Sequence, residues 1–407
     1  MKKVELYMVR DTAHSECSKK GNNKFYRMEQ VSPNEWRATY GRVGTAGQTK
    51  MYPMNLWETT YMSKIKKGYV DNSSGVVSVK KSDKAQAVLS EFKQIRTKAV
   101  REIVERLVKA ANVVCSKEYR NAEMVSVAMV DKAQELIDEL VRIAVYEEPI
   151  SRFNDTLLRL MTVIPRTMSC VDDYLVKRAG QESLIIQREQ NLLDALRSKV
   201  MAKEAQTSIT PDAAKDQTIL DALGLKVSAA TSKDDELIKD KLGDSKHRFV
   251  RAWKVVNLST EKRFKAYLKA AKSKRVELLW HGSDTSNWWG IMQQGLKLRP
   301  ATSTFHGKMF GDGLYFAPRA KKSIGYTSVK GSYWQNGNDS CGYVALFSVA
   351  VGESYYTDSA KPGMTRRAIE AIGKDSLWAK AGKSLYNDEV IVYSEEQATI
   401  SYLVEIA

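Results

Sequence analysis

This chain of 407 residues is short of metal-binding side chains, with four cysteines and four histidines. Cys17, Cys115, Cys170 and Cys341 lie far apart with no C-x-x-C, and His14, His247, His281 and His306 are equally scattered. That spacing argues against zinc fingers, and no metal is expected. The N-terminus, Met1-Lys2-Lys3-Val4-Glu5-Leu6, has no apolar leader. No run approaches the roughly 18 apolar residues of a membrane helix. The reading is a soluble intracellular protein with reduced, mostly buried thiols and no membrane partner.

Glycine and proline are missing in blocks. No glycine lies between Gly75 and Gly180, and no proline between Pro53 and Pro149. Helices avoid both residues, so this stretch reads as helical. Ile95, Ala99, Ile103, Leu107, Ala110 and Val114 extend a stripe begun by Val88 and Phe92, one face of an α-helix. Val125 to Ala144 and Ser183 to Val200 repeat the character, and Pro149 and Pro165 separate helices. By contrast, 14 of the 23 glycines lie from Gly282 onward, among strand-like runs at 276–281, 313–317, 343–351, 389–393 and 399–406. The first 75 residues alternate strand-like runs (24–28, 36–40) with Gly41, Gly44 and Gly47, then a short helix from Trp57 to Lys67. Ala205 to Gln217 is small and polar, a linker.

Acidic residues are outnumbered. The formal net charge is +16, which favours a polyanionic partner, nucleic acid first. Residues 1–75 hold 13 basic and 7 acidic residues, a net of +6.

Three segments carry chemistry: Leu278-Leu279-Trp280-His281-Gly282-Ser283, the run from Met309 through Gly311, Gly313, Tyr315, Phe316 and Ala317 to Lys322, Ser323 and Tyr326, and Leu385-Tyr386-Asn387-Asp388-Glu389-Val390-Ile391-Val392-Tyr393. Each alone reads as strand, glycine turn and core aromatic. In this order and spacing, residues 219–407 resemble the catalytic domain of the poly(ADP-ribose) polymerases. Trp36 to Thr45 resembles a WGR domain, with Tyr40 in place of the Trp while Gly41 and Arg42 stay. The middle is similar to that family's helical regulatory domain, through Leu160 to Pro165 and Asn191 to Asp194.

The resemblance implies a multidomain α+β chain. Its parts are a mainly-β WGR-like DNA-binding domain at 1–76, an all-α regulatory bundle at 84–205, a linker at 206–218, and an α+β ADP-ribosyltransferase domain with split antiparallel sheets at 219–407. The implied activity is transfer of ADP-ribose from NAD+ to protein acceptors, including the chain itself, with nicotinamide released, polymer made and DNA strand breaks as stimulus. It implies a nuclear location in a eukaryote, otherwise cytoplasm or nucleoid. It also implies that the helical region restrains catalysis.

The family's catalytic triad falls on His281, Tyr315 and Glu389. Cleavage of the nicotinamide–ribose bond passes through an oxocarbenium-like state, as in glycoside cleavage. The Gly282 backbone can meet the carboxamide because no side chain blocks it, and Ser323 can be a further amide partner. Tyr315 and Tyr326 offer stacking faces. His281 can bond a ribose hydroxyl. Glu389 can bond the 2′-hydroxyl of the nicotinamide ribose, stabilise developing charge and orient an acceptor hydroxyl. By position, Ser283, Asn287 and Lys297 meet the adenosine half, Lys322 lies beside the reacting ribose and Met309 near the acceptor. Asp284 stands where the family carries an Arg. Tyr40 and Arg42 are the DNA contacts, through stacking and phosphate bonding, while Lys64, Lys66 and Lys67 read as one exposed helix face. Two rivals remain: a mono-ADP-ribosyltransferase of the same fold, against which Glu389 argues, and a catalytically decayed DNA-binding scaffold, against which the complete triad argues.

Overall fold

In the N-terminal 73 residues, apolar side chains recur at every second position of neighbouring strands, so one sheet face must be covered. The strands are β1 (Lys3–Arg10), β2 (Asn22–Gln30), β3 (Glu35–Arg42) and β4 (Gln48–Pro53). Helix α1 (Trp57–Lys66) and the short β5 (Val70–Asp71) follow. The sheet is antiparallel throughout, in the order β4-β3-β2-β1-β5. Leu6, Tyr26, Met28, Trp36 and Ala38 form its buried face, and α1 lays Trp57, Tyr61 and Ile65 across it. These three stand four residues apart and share one helix face. The computed structural model describes residues 1–13, 20–73, 93–119, 125–207, 216–298, 309–311, 313–332, 337–383 and 385–407. Val88 and Phe92, and most of the expected linker, lie outside them.

Among the described residues, four α-helices follow: α2 (Lys98–Glu118), α3 (Val127–Val145), α4 (Ile150–Val163) and α5 (Glu182–Thr207). Ser126 caps α3 by accepting from the Met129 N–H, and α4 starts directly after Pro149. Helix α5 runs through Thr207, so the first residues of the expected linker are helical. The chain packs as two units, one of Met1–Lys84 with Val113–Val200, the other of Ala85–Asn112 with Met201–Ala407. Helix α2 therefore contributes to two cores. Val100, Ile103, Val104 and Leu107 pack among the strands of the second unit, while Cys115 packs with α3, α4 and α5 in the first. Ala110 and Val114 of the expected stripe are only half-buried, and Ala111 and Cys115 are buried instead. At 3.6 residues per turn a strict heptad stripe drifts around the helix.

In the first unit, an extended segment after α4 runs along the sheet domain. The Asn72 amide donates to the Thr162 carbonyl at 2.8 Å and the Val163 carbonyl at 3.2 Å. Asn23 Nδ2 donates to the Arg166 carbonyl at 2.9 Å. The Thr12 N–H and hydroxyl both reach Asp172.

The second unit holds two sheets. The larger has the order β6 (Leu225–Ala229), β7 (Phe249–Asn257), β14 (Ala398–Ile406), β10 (Gly342–Ala350), β8 (Val276–Gly282) and is wholly antiparallel. The smaller has the order β11 (Ser354–Thr357), β12 (Ser376–Ala379), β13 (Glu389–Val392), β9 (Leu314–Phe316), with only β11 and β12 parallel. Trp280 and Ala317 exchange backbone hydrogen bonds of 2.8 and 2.9 Å, joining β8 to the end of β9. Among the described residues, six helices precede or connect these strands: α6 (Ile219–Ala222), α7 (Ser232–Leu242), α8 (Leu258–Ala270), α9 (Trp288–Gln294), α10 (Ala320–Ile324) and α11 (Arg366–Ala371). Thr218 with Asp221 and Thr231 with Asp234 form capping boxes on α6 and α7. The first half of α2 is pinned here by charge. Arg106 reaches Glu405 at 2.7 Å and the Tyr343 hydroxyl at 2.9 Å, and Arg251 takes the other Glu405 oxygen at 2.7 Å. This is the multidomain α+β architecture expected, with a mainly-β start, helices and antiparallel sheets. Among the described residues no helix is long and apolar enough to cross a membrane.

Candidate functional site

The C-terminal end of β8 is where the two sheets of the second unit meet. His281, opposite Ala345 of β10, has Nδ1 3.0 Å from the Tyr315 carbonyl oxygen. That oxygen only accepts, so Nδ1 carries the proton and Nε2 is left as a bare acceptor. Trp288, Phe316 and Phe347 approach the imidazole at steep angles, with centroids at 6.3, 5.9 and 6.0 Å. Burial holds its pKa below the ordinary value, against the opposing pull of the Tyr315 carbonyl. The ring is therefore neutral near pH 7.

Next along β8, Gly282 is a steric requirement. A Cβ there would stand 1.8 Å from the Ser323 carbonyl oxygen. Ser323 is buried in α10, and its carbonyl accepts from the Tyr326 N–H at 3.1 Å. Gly282, Ser323 and Tyr326 are thus brought to one place by a helix of five residues.

The same helix supplies Lys322, whose ammonium lies 2.5 Å from a carboxylate oxygen of Glu389. Glu389 is the first residue of β13, opposite Ala379 on β12, and is 5% exposed. Burial pushes its carboxyl above the ordinary range, and Lys322 pulls it back by Coulomb attraction and a hydrogen bond. The Tyr326 phenol is pushed up to about 12 by burial and, second, by the Glu389 charge. Tyr315, opposite Ile391 of β13, is fixed through its hydroxyl. That hydroxyl donates to the Gly311 carbonyl at 2.9 Å and accepts from the Phe310 N–H at 3.1 Å. Gly311 has φ +76°, and a Cβ would lie 1.9 Å from the Met364 carbonyl oxygen.

Other expected residues are placed less centrally. Asn287 Nδ2 donates to the Ser283 hydroxyl at 3.1 Å, and Asn287 Oδ1 is buried without a partner. Lys297 is ion-paired with Glu395 at 2.8 Å. Met309 packs beside Phe310, Ile369 and Leu377. The Asp284 carboxylate is taken up by the Ser286 N–H and hydroxyl and by the Ser328 hydroxyl, capping a short turn. Glu395 and Ser328 escaped the sequence reading because neither lies in a motif; they arrive from distant segments. Among the described residues no group of three or more His, Cys, Asp or Glu could hold a metal ion.

In the first unit, Tyr40 stacks on Tyr26 with centroids 5.4 Å apart. Arg42 is heavily engaged. Its guanidinium donates to the carbonyls of Met168 at 3.0 and 3.2 Å, Ser169 at 3.0 Å, Gly21 at 3.2 Å and Lys20 at 3.5 Å. Lys64 departs from the exposed face read for Lys64, Lys66 and Lys67. Its ammonium stands 3.9 Å from the Tyr26 ring centroid and 5.6 Å from that of Tyr69. Burial lowers its pKa, and Lys67 and Lys24 lower it further. Lys66 and Lys67 are exposed.

Two family models and several known proteins match the chain. The model of the poly(ADP-ribose) polymerase catalytic domain matches residues 233–407, and that of the WGR domain matches residues 11–76. A poly [ADP-ribose] polymerase-like protein of Invertebrate iridescent virus 6 is 33% identical over 162 residues, 38% of this chain and 84% of its own length. Poly [ADP-ribose] polymerase 2 of Arabidopsis thaliana is 32% identical over 165 residues, 33% of this chain and 24% of that protein. Poly [ADP-ribose] polymerase 1 of Gallus gallus is 31% identical over 155 residues, 32% of this chain and 15% of that protein. The chain belongs to the poly(ADP-ribose) polymerase family and is an ADP-ribosyltransferase that uses NAD+ as its substrate.

Proposed function

We propose that the chain builds ADP-ribose polymers on protein acceptors, itself included, and that DNA strand breaks stimulate it. The observation that carries the catalytic part is the pair of half-buried Lys322 with buried Glu389 beside the Gly282–Ser323 approach. Bare Gly282 backbone and the Ser323 hydroxyl suit the nicotinamide carboxamide, with Tyr326 and the tethered Tyr315 ring as walls. His281 Nε2, an acceptor on a neutral ring, calls for a hydroxyl donor such as a ribose offers. Asn287 Oδ1 is a second acceptor awaiting a donor on the adenosine side, with Ser283 beside it.

Glu389 must be ionised to act, and Lys322 opposes the burial that would protonate it. The carboxylate accepts from the 2′-hydroxyl of the nicotinamide ribose and stabilises positive charge spreading over that sugar. The C1′–N bond breaks with its electron pair going to nicotinamide. The acceptor oxygen bonds C1′ and its proton passes to Glu389. When the acceptor is a ribose hydroxyl of an earlier unit, the chain lengthens. Met309 lies on the acceptor side in this reading, and Lys297, paired with Glu395, borders the adenosine side.

DNA enters through the first unit. Lys64 over the buried Tyr26 ring, with half-buried Tyr40 and Tyr69 and with Lys24 and Lys67 near, forms a cationic surface with aromatic edges suited to phosphate and exposed sugar or base faces. Arg42 then serves a different part, holding the sheet domain to the segment at 168–169 and passing DNA occupancy into the helices. Labelled NAD+ incubated with the full chain, with and without nicked DNA, tests the reading. DNA-enhanced polymer supports it. Single-unit product only, or equal product without DNA, overturns the finer claim.

A further inference from the structure

One surface of the catalytic unit has no part in the reaction just described. On the smaller sheet, Tyr356 of β11 and Trp378 of β12 stand opposite one another in register. Their rings stack with centroids 6.0 Å apart and planes at 27°. Two cations attend them. The Lys380 ammonium is 5.1 Å from the Trp378 ring and 5.7 Å from Tyr356, and the Arg275 guanidinium is 5.5 Å from Trp378. Tyr356 is 52% exposed, far more than a packing aromatic needs. Arg275 continues a basic track at the end of α8, where Lys269 and Lys272 are exposed and neither makes an ion pair among the described residues.

The carboxylates nearby position these groups. Asp388 accepts from the Trp378 indole N–H at 2.9 Å, from Lys380 at 2.9 Å and from the Ala381 N–H at 2.8 Å. Glu277 holds Arg275 at 3.2 Å. Asp388 immediately precedes Glu389, and Trp378 stands opposite Val390. The platform is therefore tied to the strand that carries Glu389 but lies on its other face, since Trp378 faces with Val390 while Glu389 faces with Ala379.

The geometry points to a holding site for the ADP-ribose chain itself, an inference that rests on the polymerase reading above. Each repeat of that chain carries an adenine, which can stack on the outer Tyr356 face, and two phosphates, which match Arg275, Lys380, Lys269 and Lys272. A chain attached to this protein as its acceptor stays tethered to it, so a length of several units can reach round the sheet and even weak contacts are filled by effective concentration. Single-stranded nucleic acid shares bases and phosphates. It is disfavoured because the platform offers one free ring face rather than a row, and because it is joined to β13.

The test uses the full chain and preformed, protein-free ADP-ribose oligomers, with single-stranded DNA of equal charge as comparison, in fluorescence anisotropy. The expected result is tighter oligomer binding. Tyr356→Ala with Lys380→Ser should weaken it about tenfold or more, in line with a lost stacking and cation contact. Lys269→Glu with Lys272→Glu, at exposed positions that cannot disturb the core, should do the same and flatten the salt dependence. Nicotinamide release in the first turnover should be unchanged in both double variants, while products shorten. Oligomer binding unaltered by both variants overturns the inference, as does a preference for DNA lost with the same residues. Preformed oligomers keep the two readings separable. A chain that adds only single units refutes the polymerase reading through its products, whereas the holding site stands or falls on anisotropy.

Discussion

Two ion pairs with a buried carboxylate, one in each unit, are built from the same kinds of charge and differ in how firmly they are held. In the first unit the Arg166 guanidinium faces Glu189 with both nitrogens of its fork, one bond measuring 3.0 Å, and both side chains are 2% exposed. Tyr119 lies against the guanidinium at 5.4 Å, and the helical core surrounds the pair. In the second unit Lys322 meets Glu389 through one contact, on a five-residue helix and the first residue of a strand. A planar fork fixes geometry, whereas an ammonium on a flexible stem supplies a point charge that can yield. The first arrangement locks helices. The second offsets part of the burial that favours a protonated carboxyl, and leaves that carboxyl able to exchange its partner for a substrate hydroxyl.

The largest effect should come from breaking the locked pair. Arg166→Met strands a buried carboxylate and should cost about 3–5 kcal/mol, read by urea unfolding of the full chain. Adding Glu189→Leu should recover most of that loss, which no rescue of catalysis by an apolar pair could mimic at Lys322 and Glu389.

Lys322→Gln should leave the fold in place and change chemistry. Without the ammonium, burial alone acts on Glu389, so its pKa rises further above the ordinary value. Because the ionised form is the active one, the acid limb of the kcat profile must move to higher pH. At pH 7 turnover should fall about 10²-fold, the low end for a misplaced general base. His281 contributes no limb near its ordinary pKa, since burial lowers it and the ring is already neutral. For stability the sign is opposite. A carboxyl with a raised pKa favours the protonated form, so its contribution is full at low pH and is lost as pH rises through the folded value.

Arg42→Ala should be milder, about 1–3 kcal/mol for charge-assisted bonds to carbonyls. Its signature is a split: DNA affinity by anisotropy nearly kept, DNA stimulation of nicotinamide release lost. Arg42→Lys should not restore it, because one ammonium cannot reach four carbonyls in a fork. Smallest is Lys64→Met, which should weaken DNA binding modestly and lower the salt slope by about one, as for one phosphate contact.

Much of the site was legible because its residues sit in short motifs where a strand, a glycine and a polar side chain must coincide. His281-Gly282, Gly313 to Ala317 and Glu389 to Tyr393 are such places, and Gly282 is bare because the Ser323 carbonyl occupies the space of a Cβ. What spacing could not reveal was partnership across the chain. Lys322 was placed near the reacting ribose, yet nothing in its neighbourhood named Glu389 as its ion partner. Arg42 read as a phosphate ligand, since an arginine among glycines in a basic domain gives no sign of the carbonyls at 168 and 169. Helix α2 is the clearest case. Periodicity shows that one face is apolar, but not that Val100 to Leu107 belong to one core and Cys115 to another. A deletion meant to remove the helical region should therefore keep residues 93–112, because losing them uncovers Trp253 and breaks the Arg106–Glu405 contact.

The proposed polymerase activity gives Glu389, with Lys322 beside it, a part in both bond cleavage and chain growth. The most direct test is product length from Glu389→Gln in the full chain with nicked DNA and labelled NAD+, resolved on a sequencing-type gel beside measured nicotinamide release. Polymer should disappear while slow nicotinamide release, with single units or hydrolysis, persists. Long chains made at the normal rate by Glu389→Gln would contradict that part for Glu389.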